Sequence, residues 1–480
     1  LATPAETLIA SLQAAKRWPP DDAWRKCEEL AAYRDSNIDY LEELHHPRWD
    51  RKREYIPDPL PGLISRAYAD LLVGEPPQVE AADPADQDNV DLIVQQSDLA
   101  SQAHVAAQIA SSEGEVWWKV YTDRMVSDRP IVEFTSRRDV VALWRSGKPV
   151  AVAFVSTRSV SESYAVTRLL EVHEQGRIIN LLYKGTTDVL GSRIPLSRDP
   201  ELADLPDEWR HGLGVMLAGR IINKPALGYS NLGRSDYEGC QQLFLSLNEA
   251  TTIGVENARL TAKKRLFVDR KYLDARGDMP GGADVFLLDN KDFGDGDKSG
   301  VYAIEYSFDA DQLIAYQRDL VDRIITRAGL VAQWVGASVD GRAETGTALR
   351  VRMVPAVLAT QGKALHFQQG MKDALVACQL VDNLGQQSGG FERPYVDAGS
   401  PPMVELTDSI PPDPTEEAQR LSTLTVAELQ SRRRSVRELH PDMTPEQVEE
   451  ELAEIRSDTS MEIMPVPELT DREPPNQNNV

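Results

Sequence analysis

Between Ser235 and Phe267 the chain runs without a proline, and this stretch restricts the available folds more than any other feature. Proline removes a backbone donor and clashes with the preceding turn, so a proline-free run of mixed apolar and polar residues can continue as one helix. Ser235 and Glu238 carry the spacing of a capping box, which predicts the helix start. At 1.5 Å per residue the helix would span about 50 Å, against ~11–12 residues for an average helix. Its first half carries Tyr237, Phe244 and Leu247, and its second half a four-residue series of small residues, Ala250, Gly254, Ala258 and Ala262. Such a ridge lets another helix approach closely. Packing within one chain would use it, and so would packing between subunits. The helix exceeds what one core needs, which favours the second.

Residues 268–308 then read as a compact insertion, with strands expected at 285–289 and 301–305 around the Gly/Asp-rich NKDFGDGDKSG. A second helix is expected over 310–328. Helix, small β unit and returning helix together make a stalk with a tip. Residues 336–346 are a loop by composition. A further long helix is expected over 347–383, kinked or broken near Pro355, with an apolar stripe at Ala364, Phe367, Met371, Leu375 and Cys378. Residues 403–406 suit one strand, helices resume at 414–424, 426–439 and 445–456, and the Pro- and Asn-rich tail from Asp458 is expected to be disordered.

Upstream, residues 1–75 read as helical, broken by Pro19, Pro20, Pro47 and the 57–61 prolines. A helix over 63–73 stops at Gly74, with Pro76 and Pro77 beyond. Another is expected over 90–110. The period then switches to two, predicting strands at 115–122, 131–134, 140–144, 149–157, 164–173 and 177–183. The segment 212–223 is apolar and expected to be buried. Helices around a β-rich centre make an α+β fold.

The 480 residues exceed one ordinary core, so two or more packing units are expected. No apolar run reaches about eighteen residues, so no membrane span is expected. The start lacks a basic region, apolar core and cleavage site, so secretion is not expected, and it lacks Met, so the numbering is expected to start inside the gene product. Cys27, Cys240 and Cys378 lie far apart, as expected of a protein made in a reducing cytoplasm. The net charge is −24, from 76 acidic and 52 basic residues. A protein that grips DNA shows the reverse balance. Acidity suits plain solubility, and it also suits a surface past which DNA must slide.

The standard catalytic motifs are missing. Gly147–Lys148 and Gly362–Lys363 lack the rest of a phosphate loop, GYSNLG at 228–233 is one residue too long for a nucleophile elbow, and no HExxH occurs. Asp292, Asp295 and Asp297 could hold a divalent cation, but the Gly-then-Glu arrangement of a calcium loop is missing, so they read as solvated hairpin acids. No catalytic residue, metal or cofactor is expected, and the chain is not expected to be an enzyme. Lys263, Lys264 and Arg265 sit at a helix C-terminus, where cations favour the dipole, and Arg432, Arg433 and Arg434 fill one turn of a late helix. A solvated face is the default reading for both clusters.

The order of these elements resembles the portal proteins of long-tailed bacteriophages. The likeness rests on GLISRAYADLLVGEPP (62–77), EGEVWWKVY (113–121), NLGRSDYEGCQQLFLSLNEATT (231–252), ETGTALRVR (344–352) and SRRRSVRELHPDMTPEQVEEELAEI (431–455). Each is weak alone; five in order around a stalk and tip are more specific. The apolar LVAQWVG with Trp334 departs from the pattern and blurs where the channel loop begins. The resemblance implies a wing (1–233), a first stem helix (234–267), a clip (268–308), a second stem helix (309–330), a channel loop (331–346), a long kinked helix returning to the wing (347–410), a crown (411–457) and a tail (458–480).

It also implies a homo-oligomeric ring, typically of about twelve copies, at one capsid vertex of the virion. Double-stranded DNA would pass through its channel, and its partners would be the terminase large subunit, a head–tail adaptor, and the major capsid and scaffolding proteins. Lys263, Lys264, Arg265 and Arg342, with Asp340 and Glu344 flanking the last, become candidates for brief contacts with DNA; salt bridges between neighbouring subunits are the alternative. Asp292, Asp295, Asp297 and Lys298 become the clip tip that meets motor and adaptor. Two other readings remain: a metal-dependent DNA-processing enzyme using Asp292, Asp295 and Asp297, and another head–tail joining protein.

Overall fold

Period-two burial builds the centre of the molecule. In the computed structural model, residues 2–20, 22–45, 54–123, 126–160, 165–226, 231–262, 265–269, 284–288, 302–304, 308–332, 346–387, 401–406, 414–427, 429–439, 443 and 445–461 are described. They fall into two units, 1–409 and 410–480, and the fold is α+β.

The first unit opens with helices α1 (Pro4–Ala14), α2 (Asp22–Asp35), α3 (Ile38–His45) and α4 (Leu60–Val73). Strand β1 (Gln78–Glu80) and helices α5 (Gln87–Gln96) and α6 (Leu99–Glu113) follow. The single helix expected over 90–110 is thus two. Asp98 takes a left-handed conformation between them, φ 46°, which a short polar side chain tolerates. That bend lets Ile93 and Leu99 reach the same core.

Strands β2 (Glu115–Tyr121), β3 (Ile131–Ser136), β4 (Val140–Arg145), β5 (Lys148–Val160), β6 (Val166–Glu174) and β7 (Arg177–Thr186) lie where alternation predicted them. Two more, β8 (Val189–Ile194) and β9 (Glu208–Arg210), were not foreseen, and the apolar 212–223 segment contributes β10 (Ala218–Ile222). One antiparallel sheet has the order β10-β2-β3; the other runs β4-β5-β6-β7-β8, with β9 also pairing β7. Helix α1 covers the second sheet, burying Ala5, Leu8 and Leu12 against Ala153, Leu170 and Leu181.

Helix α7 (Gln241–Ala262), strands β11 (Arg265–Asp269), β12 (Asp284–Leu288) and β13 (Tyr302–Ile304), and helix α8 (Ala310–Ala328) come next. The long helix α9 (Gly346–Gln387) is followed by β14 (Met403–Glu405), which pairs β1. Helix α9 continues through Pro355, so of the kink or break expected there no break occurs. Pro355 is exposed, so a carbonyl left without its helical donor there can turn to water. The stripe read from sequence is the centre of the main core: Phe367, Met371, Leu375 and Cys378 pack with Ala106 and Ala110 of α6 and Trp118 of β2. Burying a side chain such as Phe367 contributes about 1.5–3 kcal/mol. Gly370 belongs to this contact, because any side chain there would collide with Ile221 of β10.

The second unit is helical: α10 (Pro414–Val426), α11 (Arg432–Leu439) and α12 (Pro445–Met461). Leu421, Val448 and Leu452 are buried. The helix expected over 426–439 starts at Arg432, because Ser431 turns its hydroxyl onto the Arg434 amide (3.3 Å) as an N-terminal cap. Arg433 pairs with Glu449 at 3.1 Å.

Candidate functional site: the foot of a helix-pair arm

Helices α7 and α8 form an antiparallel pair. Gly239, ahead of α7, accepts from Arg327 (2.5 Å), the Thr251 hydroxyl accepts from Gln317 (3.3 Å), and Gly254 faces Leu313, so the partners step in opposite directions. A Cβ at Gly254 would lie 2.8 Å from Leu313 Cδ2. Here the small residue serves contact within one chain. Ala250 is also buried, whereas Ala258 is exposed.

Burial falls away along the pair. Near the body, Phe244, Leu247, Ala250, Leu320, Ile324 and Ile325 are buried; farther out, Ala258, Arg259, Ile314 and Tyr316 are exposed. Residues 54–58 run as a strap along α7. Arg259 pairs with Glu54 (2.8 Å), Thr252 accepts from the Ile56 amide (3.0 Å), and Asn248 accepts from the Asp58 amide (2.8 Å).

Chain continuity puts a small sheet at the outer end of the pair. Its order is β12-β11-β13, with β12 parallel and β13 antiparallel to β11. This corrects the sequence reading in two ways. Residues 265–269 are a strand, not the end of a helix, because they pair on both sides. The two expected strands pair with β11 and not with each other. Lys263, Lys264, Asp292, Asp295, Asp297, Lys298, Asp340, Arg342 and Glu344 lie outside the described residues. Arg265 opens β11, and Ala262 is the last residue of α7.

The start of α7 also differs from the expected capping box, since the helix begins at Gln241 instead of Ser235. The residues before it are engaged by the body. Ser235 donates to the Ser112 carbonyl and accepts from the Tyr237 amide (2.9 Å). Glu238 pairs with Arg234, and Tyr237 meets Ser65 at 2.6 Å. Gly114 and Gly233 touch so closely that a side chain on either would strike the other's backbone. The segments 113–121 and 231–240, separate motifs in the sequence, are therefore packed on one another.

At this foot lies a buried ionic cluster. Asp236 Oδ2 accepts from the Ser111 hydroxyl (2.7 Å) and from Lys363 Nζ (2.7 Å), while Lys224 Nζ stands 2.6 Å from Oδ1. Asp236 and Lys363 are almost fully buried; Lys224 is partly exposed. Lys363 Nζ sits 3.0 Å from the centre of the Tyr68 ring, a cation–π contact, and the Tyr68 hydroxyl donates to the carbonyl of Ala328, the last residue of α8. Burial works to raise the Asp236 carboxyl, but the charges of Lys363 and Lys224 outweigh it and hold the group below the ordinary range. Burial pushes Lys363 down to about 7 despite the pull of Asp236.

Sequence reasoning missed this cluster. Its one signal is Lys363 at core spacing in α9, three residues after buried Thr360 and four before Phe367. Similar buried pairs tie the body: Arg34 to Glu113 (3.0 Å), Arg129 to Asp382 (2.9 Å) and Arg137 to Glu115 (3.1 Å). Among the described residues no group of His, Cys, Asp and Glu is arranged to hold a metal, and no helix is long and apolar enough to cross a membrane.

No family model matches the chain, and no curated protein matches it. Solved structures do. The chain is similar to a component of the neck of an empty GTA particle computed with C6 symmetry, at 10% identity and TM-score 0.46, over 80% of this chain and 90% of that one. It is similar to one in the neck of the native GTA particle computed with C12 symmetry, at 11% identity and TM-score 0.46, over 91% and 98%. A chain of the virion of the native gene transfer agent particle is similar at 10% identity and TM-score 0.45, over 91% and 99%.

Proposed function

We propose that the chain is a portal subunit of a tailed phage or phage-like particle. Copies form a closed ring at one capsid vertex, and double-stranded DNA enters and leaves through its channel. The observation that carries this reading is the arm: an antiparallel helix pair set on an α+β body, bearing a three-stranded sheet at its outer end and losing burial along its length. One subunit's core has no use for such an arm, whereas a ring of copies covers its sides and leaves the sheet free to meet other proteins. In this reading those are the terminase large subunit during packaging and a head–tail adaptor afterwards, while the body meets major capsid and scaffolding proteins. The subunit performs no chemistry of its own.

The outer face of α9 supports assembly independently. Val354, Leu358 and Leu365 recur at helical spacing and are 48%, 61% and 68% exposed. From Thr345 to Lys372 the sequence has no Asp or Glu, although the chain carries −24 overall. Acidic copies repel one another, so an acid-free apolar face is the kind of surface on which they can meet.

Negative-stain microscopy of the purified full chain tests the reading. Rings with a central channel are expected; a monodisperse monomer at high concentration overturns it. Magnesium-dependent cleavage of plasmid DNA by the same preparation would instead favour a DNA-processing enzyme.

A further inference from the structure

The ionic cluster at the foot of the arm has unequal charges. Two ammonium groups, Lys363 and Lys224, share the one carboxylate of Asp236. Lys224 is partly exposed and keeps some hydration, but Lys363 is not, so the excess positive charge falls on the buried member. Among the described residues, the charged and titratable groups that meet Lys363 are Asp236 ahead of α7, Lys224 beyond β10 and Tyr68 of α4, and α6 contributes the Ser111 hydroxyl to the cluster. Tyr68 stays neutral, because burial raises its hydroxyl far above its ordinary value.

The cluster also has an unusual place in the fold. Asp236 precedes the first residue of α7 by five positions, Tyr68 holds the last carbonyl of α8, and Lys363 belongs to α9. Lys363 of the long helix thus meets one foot of the arm directly, at Asp236, and the other through Tyr68. We propose that Lys363 is a proton-operated coupling between α9 and the arm. As an ammonium it clamps Asp236 and lies on the Tyr68 ring, so α9 and the arm move together. As an amine it gives up the ion pair, while Asp236 keeps Lys224 and Ser111. Phe367 and Met371 keep α9 in the main core, so the arm, still tied through Lys224 and Ser111, gains play against α9 at Lys363. The proton leaves to water on the Lys224 side, where the cluster is open. The local value of about 7 puts this exchange near neutral pH. None of this depends on the portal reading.

The test is a distance measurement on the full chain. Cys27, Cys240 and Cys378 are all buried, so spin labels can be attached selectively at A258C on α7 and Q369C on α9, both exposed positions. Labelled protein is diluted into unlabelled protein so that only distances within one copy are read. The distance distribution is expected to change with a midpoint at pH about 7. K363M, which is never charged, and K363R, which stays charged, should each be independent of pH, with K363R matching the low-pH distribution. A distribution unchanged across neutral pH overturns the proposal, as does a change that persists in K363R. K363R keeps the test valid if K363M does not fold.

Discussion

Lys363 and Asp236 differ in what their loss costs, and the difference follows from how many partners each leaves behind. D236A strands two ammonium groups, one of them fully buried, and should destabilise the first unit by about 3–5 kcal/mol in denaturant unfolding. K363M leaves Asp236 with Lys224 and Ser111 and fills a similar volume, so it should be near neutral or stabilising. A mild D236A would mean that the cluster is open to water. The pH dependence has a definite sign. Lys363 is held at about 7 in the folded chain against 10.5 for a free lysine, so between those values the unfolded chain binds more protons. The stability difference between the unmodified chain and K363M should therefore shift in favour of the unmodified chain as pH rises from 7 to 9, read by urea titration at each pH. A flat difference would put Lys363 at its ordinary value. None of this was legible beforehand. A lysine in a helix reads as solvated unless the fold is known, and Asp236 falls between Ser235 and Glu238, whose capping-box spacing assigns it no partner.

Elements whose limits are set locally were readable, and those set by distant partners were not. Helix α8 falls at its expected residues because both ends are marked: Asp309 accepts from the Gln312 amide at one, and Gly329, φ 79°, stops the other. The β-rich centre shows its alternation where one face of a strand lies on a core, as Val166, Leu170 and Val172 do in β6, whereas β2 is buried on both faces. Helix α7 is different. Its start is shortened because Ser112, Ser111 and Ser65 capture the residues ahead of it, and its end because β11 pairs with strands from 284–288 and 302–304. No feature within 235–267 records those contacts. The small-residue series is split by the same logic, since Gly254 faces Leu313 of its own chain. G254W should therefore splay α7 from α8 at a cost of about 1–3 kcal/mol. Hydrogen exchange in α8 should rise in G254W even in isolated subunits; unchanged protection there would mean that the residue faces a neighbour instead.

For the whole molecule, the argument concerns how strongly acidic copies can associate. The paired substitution L358E/L365E puts two carboxylates on the acid-free outer face of α9 and should abolish or shrink the assembly, read by light scattering, while leaving the subunit's melting temperature nearly unchanged. Assemblies of unaltered size would move the contact elsewhere on the body. Composition had left the net charge open between solubility and a path for DNA, and the fold now shows where that charge is interrupted. A total of −24 does not show it, although the acid-free run from Thr345 to Lys372 stands in the sequence; what the fold adds is that Val354, Leu358 and Leu365 within it are exposed.

The parallel pairing of β11 with β12 bears on how the arm responds to load. In a simple hairpin, a partner pulling on the tip could peel the two strands apart one rung at a time. Here β11 is the middle strand and begins three residues after α7 ends, so tension on either outer strand passes into it as shear across several hydrogen bonds at once. From there it travels along the axis of α7 to the segment held by Asp236. A motor or adaptor gripping the sheet would therefore be pulling on the ionic cluster at the far end of the helix, and the sheet would serve as a handle and the cluster as its anchor.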